Sequence, residues 1–252
     1  MRTHLILAAA IVLLCPHLAA AQHNQQRDLA MLSYKTGLDH MRSEAWDQAA
    51  AAFQKAIETD PAFEMAFYAL GKTNMARKRF VEAAAALSKC RDLFLAQTGR
   101  QFANQQDAQR YRRDRILEID EIIRQNSSGA QTTQTQEAIR QLNERRRQLQ
   151  DDIQRGTNVT IDATVPAYVS LALGSAYFRL ARFGDAEREY KSAIASDPKT
   201  GEAYSNLAVV YLETGRIDEA EKAVKAAEKT GFRVNPMLKD DIAAAKKKPD
   251  AE

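Results

Sequence analysis

Residues 167–200 read AYVSLALGSAYFRLARFGDAEREYKSAIASDPKT, and their arrangement of small, aromatic and acidic positions returns along the chain. At a spacing of 34, Leu173 recurs as Leu207, Tyr177 as Tyr211 and Ala186 as Ala220. A shift of 137 lays the same stretch on an earlier one. Gly174 then falls on Gly37, Phe183 on Trp46, Ala186 on Ala49, Tyr190 on Phe53 and Asp197-Pro198 on Asp60-Pro61. Tyr204 meets Phe67, Leu207 meets Leu70, and Glu219-Ala220 meets Glu82-Ala83. A fixed period of this length is the signature of stacked structural repeats.

Each repeated feature has a packing reason. Small residues at Gly37, Gly71 and Gly174 let two antiparallel helices approach, and the large apolar residues fill the groove between them. Asp60-Pro61 and Asp197-Pro198 are expected to end one helix and open the next, because proline cannot continue the ladder but fits a first turn. One repeat cannot bury its apolar face alone, so neighbours must stack. These signature residues are therefore structural.

The spacing resembles the tetratricopeptide repeat, whose pattern runs from a large residue through Leu-Gly, Tyr, Ala, a large apolar residue and Ala to Pro. The third repeat, 167–200, matches best, with Leu173-Gly174, Tyr177, Phe183, Ala186, Tyr190, Ala193 and Pro198. The first, 30–63, has Gly37, Trp46, Ala49, Phe53, Ala56 and Pro61, with His40 in place of tyrosine. The second, 64–96, keeps Phe67, Leu70-Gly71, Phe80, Ala83 and Leu87, but has Cys90 at the second alanine position and Leu95 where proline is expected. The fourth, 201–234, keeps Tyr204, Leu207-Ala208, Tyr211, Ala220 and Ala227. The resemblance implies an all-α solenoid in two two-repeat modules, 30–96 and 165–234. Cys90 then reads as a small buried hydrophobe and not a reactive thiol.

Residues 97–164 belong to neither module. Ile116, Ile119 and Ile123 mark one helical stripe, and Ile139, Leu142, Leu149 and Ile153 mark another. The polar run 126–133 between them is turn-prone. The pattern predicts an antiparallel, coiled-coil-like hairpin. An arm of about 20 residues would stand off by about 30 Å at roughly 1.5 Å per residue. Arg110, Arg112, Arg113, Arg115 and Arg145-Arg146-Arg147 are nearly cancelled by seven acids, among them Asp114, Asp120 and Asp151-Asp152, which reads as a solvated, ion-paired surface. After the repeats, 235–252 starts with Asn235-Pro236, an N-cap and first helical position; Met237, Leu238, Ile242 and Ala245 form the apolar face of a capping helix.

The chain opens with Arg2 and His4, an apolar run from Leu5 to Leu14, and Ala19-Ala20-Ala21. About ten apolar residues are too few to span a bilayer but suit an export signal, 1–21, cut after Ala21 and followed by a short segment, 22–29. Cys15 does not favour lipidation, because Leu14 stands where that processing needs a small residue. The expected compartment is the periplasm or the secreted space, with no stable membrane span after cleavage. One cysteine then remains, Cys90, so no intrachain disulfide can form.

Thirty-six Lys and Arg against 33 Asp and Glu give a net charge of +3, which implies no nucleic-acid surface. The sequence has no Gly-rich phosphate loop, no His-Glu-x-x-His and no Gly-x-Ser-x-Gly. No catalytic residue, cofactor or metal ligand is expected, and the enzyme class is set aside.

In the family this chain resembles, the first helix of each repeat lines a concave groove, and five of its positions touch the partner. Carried onto this sequence, repeat one offers Met31, Tyr34, Leu38, Met41 and Arg42, and repeat two offers Met65, Tyr68, Lys72, Met75 and Ala76. Repeat three offers Tyr168, Leu171, Ser175, Phe178 and Arg179; repeat four offers Glu202, Ser205, Val209, Leu212 and Glu213. Four methionines beside tyrosines suit an adaptable surface for an apolar peptide or helix. The alternative is that these residues are covered by the N-terminal segment or the hairpin. The family's lysine–asparagine clamp for a C-terminal carboxylate is missing, since Tyr34 and Leu38 stand at its positions. The resemblance thus points to a protein-binding scaffold, and the alternative is a structural oligomer self-associating through residues 97–164.

Overall fold

The computed structural model describes residues 16–97, 102, 105–127, 133–156 and 165–247. Residues 1–15 of the expected signal, 128–132, 157–164 and Lys248 lie outside them. Among the described residues there are eleven helices and no strand. They are α1 (Pro16–Arg42), α2 (Trp46–Thr59), α3 (Glu64–Ala76), α4 (Phe80–Gln97), α5 (Gln105–Ser127), α6 (Thr133–Arg155), α7 (Ala167–Arg179), α8 (Phe183–Ser196), α9 (Gly201–Glu213), α10 (Ile217–Lys229) and α11 (Pro236–Lys247). The pairs α1/α2, α3/α4, α7/α8 and α9/α10 are the four repeats. Helix α1 begins well before the first repeat and runs through residues 22–29 without a break.

Every repeat turns at the same place by the same device. Glu44, Lys78, Ala181 and Gly215 have positive φ, between 55° and 73°, and each falls two residues before its second helix. The next N–H reaches back to the first helix: Ala45 donates to the His40 carbonyl, Arg79 to Asn74, Arg182 to Tyr177 and Arg216 to Tyr211, at 2.8–2.9 Å. This is the left-handed helix stop with a six-to-one hydrogen bond. Only the fourth repeat uses glycine there, so three repeats carry a strained residue.

Within a pair, the glycine and the large residue sixteen positions on are in direct register. A Cβ on Gly37 would lie 2.5 Å from the Phe53 ring, one on Gly71 2.5 Å from Leu87, and one on Gly174 2.7 Å from the Tyr190 ring. The fourth repeat balances the same contact differently, with Ala208 opposite Val224. Between repeats, the Asp60 carboxylate accepts from the Ala62 N–H and that of Asp197 from the Lys199 N–H, both at 2.9 Å. Pro61 and Pro198 therefore sit in carboxylate-stapled turns and not in a helical first turn as their sequence suggests, because α3 and α9 start only at Glu64 and Gly201.

The modules, separated in sequence by α5 and α6, are stacked in space. Helix α4 packs on α7 as α2 packs on α3 and α8 on α9. One apolar cluster joins Leu87 of α4 to Leu173, Tyr177, Tyr211 and Ile242, and the other joins Cys90 and Phe94 of α4 to Phe53, Phe63, Val165 and Val169. Helices α4 and α7 contribute to both clusters, so the interior is continuous. At the far end, the Asn235 side chain accepts from the Met237 N–H at 3.0 Å and opens α11, which buries Leu238 and Ile242 on the last repeat. Met237, expected on that apolar face, instead points outward and is 70% exposed.

Candidate binding groove

The inner-wall positions fall into two environments. In the first module Tyr34, Leu38 and Met65 are buried, Met31, Met41, Tyr68 and Met75 are half-buried, and Arg42, Lys72 and Ala76 are exposed. The Tyr34 ring lies 5.6 Å from Phe53 and 5.0 Å from Phe63, so it belongs to the core of its own repeat. In the second module Tyr168, Leu171, Ser175, Phe178, Val209 and Leu212 are half-buried, Arg179, Glu202 and Glu213 are exposed, and Ser205 is buried. The two environments meet where Tyr168 packs edge-on to Tyr68 and its hydroxyl points at the Met65 sulfur, 3.9 Å away. Crowding by neighbouring protein atoms raises the Glu202 carboxyl above its usual range even though the residue reaches solvent, and the charge of Lys72 opposes that shift.

The first module differs because α5 lies beside it. Arg110 of α5 pairs with Asp28 of α1 at 3.2 Å, and further along both helices the guanidinium of Arg124 comes close to Asp39, Arg42 and Tyr34. Charge thus links α5 to α1 at two places, through long side chains and not through close packing of the two backbones. The first turns of the arm, expected to stand clear of the solenoid, are instead tied to it through Arg110, Asp114 and Arg115. The reason is charge: its arginines find acids on the repeats as well as on their own helices. Helix α6 packs against α5, with Arg146 bonded to Asp120 at 2.8 Å and Ile119 and Leu149 buried.

The closest contact is a buried ionic cluster. Arg27 of α1 pairs with Asp60, donates to the Ala62 carbonyl at 3.0 Å, and approaches Glu64 at 3.4 Å and Asp114 of α5 at 3.8 Å. Arg115 of α5 pairs with Glu64 and lies over the Phe94 ring, 4.5 Å from its centroid. Asp60 and Glu64 are each only 2% exposed. Burial raises the Asp114 carboxyl above its ordinary value, against the pull of Arg27.

Sequence reasoning missed Arg27, Asp60, Glu64 and Arg115 as a group. A signal was present: Glu64 holds the first position of its repeat, where the others have Ala30, Ala167 and Gly201. An acid in a column of small residues needs a buried cation. Elsewhere, Cys90 is fully buried and His40 is half-buried, its carbonyl engaged in the turn. Among the described residues, no three or more His, Cys, Asp or Glu side chains are grouped to hold a metal ion. None of the described helices is long and apolar enough to cross a membrane.

The tetratricopeptide repeat family model matches residues 34–92 and 171–232. Among solved structures, the chain is similar to PilW, a type IV pilus biogenesis factor, at 17% identity and a TM-score of 0.38, covering 89% of this chain and 86% of that one. It is also similar to TTC0263, a tetratricopeptide protein of Thermus thermophilus, at 23% identity and a TM-score of 0.32, covering 86% and 98%. A third is the TPR2AB domain of yeast Sti1 in complex with pHSP90, at 13% identity and a TM-score of 0.30, covering 87% and 99%. No curated protein matches the chain.

Proposed function

We propose, from the match of residues 34–92 and 171–232 to the tetratricopeptide repeat model, that this protein is a protein–protein interaction scaffold that holds a peptide or helix of a partner along its inner wall. The observation that carries the reading is the set of half-buried apolar and aromatic side chains on stacked helices, Tyr68 and Met75 on α3, Tyr168, Leu171 and Phe178 on α7, and Leu212 on α9. A wall of this kind offers partly exposed apolar side chains to a partner, and its flanking Lys72, Arg179, Glu202 and Glu213 supply polar register. The role is binding and not catalysis.

The scaffold acts in the bacterial cell envelope or the secreted space. What supports this is the start of the chain: a short basic beginning, an apolar run and Ala19-Ala20-Ala21. Cell fractionation of the full chain, with and without residues 2–21, tests the compartment. Affinity capture with the chain starting at Gln22 tests the groove. The variant Leu171→Ala/Phe178→Ala/Leu212→Ala is expected to lose the partners that the unaltered chain retains. An unchanged set of captured proteins would refute the groove.

A further inference from the structure

Two arginines from outside the repeats enter the first module in the same way. Arg27, on the extension of α1, pairs with Asp60 and lies 4.6 Å over the Phe63 ring. Arg115, on α5, pairs with Glu64 and lies 4.5 Å over the Phe94 ring. Each guanidinium has a carboxylate at its edge and an aromatic face beneath it. That combination suits a planar fork and not a compact ammonium.

The two arginines are held differently. Arg27 belongs to the same helix as the first repeat. Arg115 arrives on α5, where Arg110 pairs with an Asp28 that is 74% exposed, a contact screened by solvent, and Arg124 feels the like charge of Arg42 as well as Asp39. Among the described residues, neither apolar cluster of the solenoid includes a side chain of α5 or α6. At Arg110, Asp114 and Arg115, α5 meets α1 and the repeats through charge and a ring face. If α5 leaves, Arg115 and Asp114 depart together, and Arg27 alone faces the buried carboxylates of Asp60 and Glu64. Glu64 then loses the guanidinium paired with it, and a buried carboxylate left in that way selects a cation-bearing replacement.

We propose that Glu64 and Phe94, beside the Arg27–Asp60 pair, form an arginine-reading site, that Arg115 of α5 fills it as a ligand built into the chain, and that the partner taking its place is a helix presenting an arginine in the same manner. This deepens the scaffold reading and rests on it.

The test uses a labelled peptide of residues 105–127 as the probe, titrated into the full chain by fluorescence anisotropy. The unaltered chain, whose own α5 fills the site, is expected to bind it weakly, and the Arg115→Ala chain at least about tenfold more tightly. Adding Glu64→Gln to that chain removes the gain, and so does an Arg115→Ala substitution in the probe. Because Arg115→Ala could disturb folding, an Arg115→Lys chain is measured beside it. It keeps the charge, gives up the planar stack, and is expected to fall between the two. Equal binding by all three chains, or equal binding of the Arg and Ala probes, overturns the site. A probe that binds only while converting the chain to a dimer also overturns it, by assigning the site to a second copy. If the probe fails but Leu171, Phe178 and Leu212 still govern partner capture, only the arginine site is lost and the scaffold stands.

Discussion

Tyr68 of α3 and Tyr168 of α7 meet ring edge to ring face, with centroids 5.0 Å apart and planes at 75°. The residues come from opposite sides of the α5–α6 pair in sequence, so their contact joins the two modules. Across the same junction, Arg91 of α4 donates to the Glu189 carboxylate of α8 at 2.6 Å, and Glu189 is only 3% exposed. The four repeats thus share one interior across the junction.

One consequence is cooperative unfolding. Urea denaturation followed by circular dichroism and by tyrosine fluorescence is expected to give coincident curves for the unaltered chain. Arg91→Ala strands a buried carboxylate and is expected to cost about 2–3 kcal/mol. Adding Glu189→Gln should recover part of that loss. Two separated transitions in the unaltered chain would mean that the modules unfold independently.

The helix-pair glycines should not tolerate even one methyl group. Gly37→Ala and Gly174→Ala force a Cβ to within 2.5 and 2.7 Å of aromatic rings, and each is expected to cost about 1–3 kcal/mol by overpacking. Ala208, opposite the smaller Val224, should tolerate Ala208→Gly at about 1 kcal/mol, the ordinary helix-propensity loss. Thermal melts of the three single variants check the order.

The turn residues offer the opposite effect. Glu44, Lys78 and Ala181 hold φ of 55° to 59° without being glycine, a conformation that costs an L-residue about 1 kcal/mol or more. Glu44→Gly, Lys78→Gly and Ala181→Gly are each expected to raise stability by up to about 1 kcal/mol, while Gly215→Ala lowers it by a similar amount. A melting temperature that falls in the first three variants would contradict the strain.

Acidity should act in opposite directions at the two ends. Burial would raise the Glu187 carboxyl, but the hydrogen bonds from Arg216 at 2.7 Å and Lys191 at 2.6 Å overrule it and hold it below its usual range. Its contribution is present above the unfolded carboxylate value, about 4.3, and is lost as pH falls through the lower folded value. Asp114 is raised, so the folded chain keeps its proton more readily. Its contribution is full below about 3.9 and is lost as pH rises through the higher folded value. Glu187→Gln should therefore destabilise at pH 7 with little effect near pH 3. Asp114→Asn should be more favourable, relative to the unaltered chain, at pH 7 than near pH 3. Denaturant midpoints at the two pH values decide both.

Much of the solenoid was readable because its constraints are local and recur. Gly174 and Tyr190 are sixteen residues apart, and the same pairing returns as Gly37–Phe53 and Gly71–Leu87, so a single chain carries its own internal comparison. The turn at Glu44, Lys78 and Ala181 was not readable, since no glycine marks it and the hydrogen-bonded stop itself imposes the conformation. The inner-wall positions were legible as a register, but not as an environment. Nothing in the spacing of Tyr34 or Leu38 distinguishes them from Leu171 or Val209, yet the first two are buried and the second two are half-exposed.

The amino-acid sequence alone determined that this protein is a stack of paired helices, because each pair closes on contacts repeated at a constant spacing within one repeat. Only the tertiary structure decided that the modules join through α4 and α7 and that α5 reaches the first module, with its Arg115 between Glu64 and Phe94. Those contacts link residues far apart in the chain through charges and ring faces that follow no period. Their partners become visible only once the helices are in place.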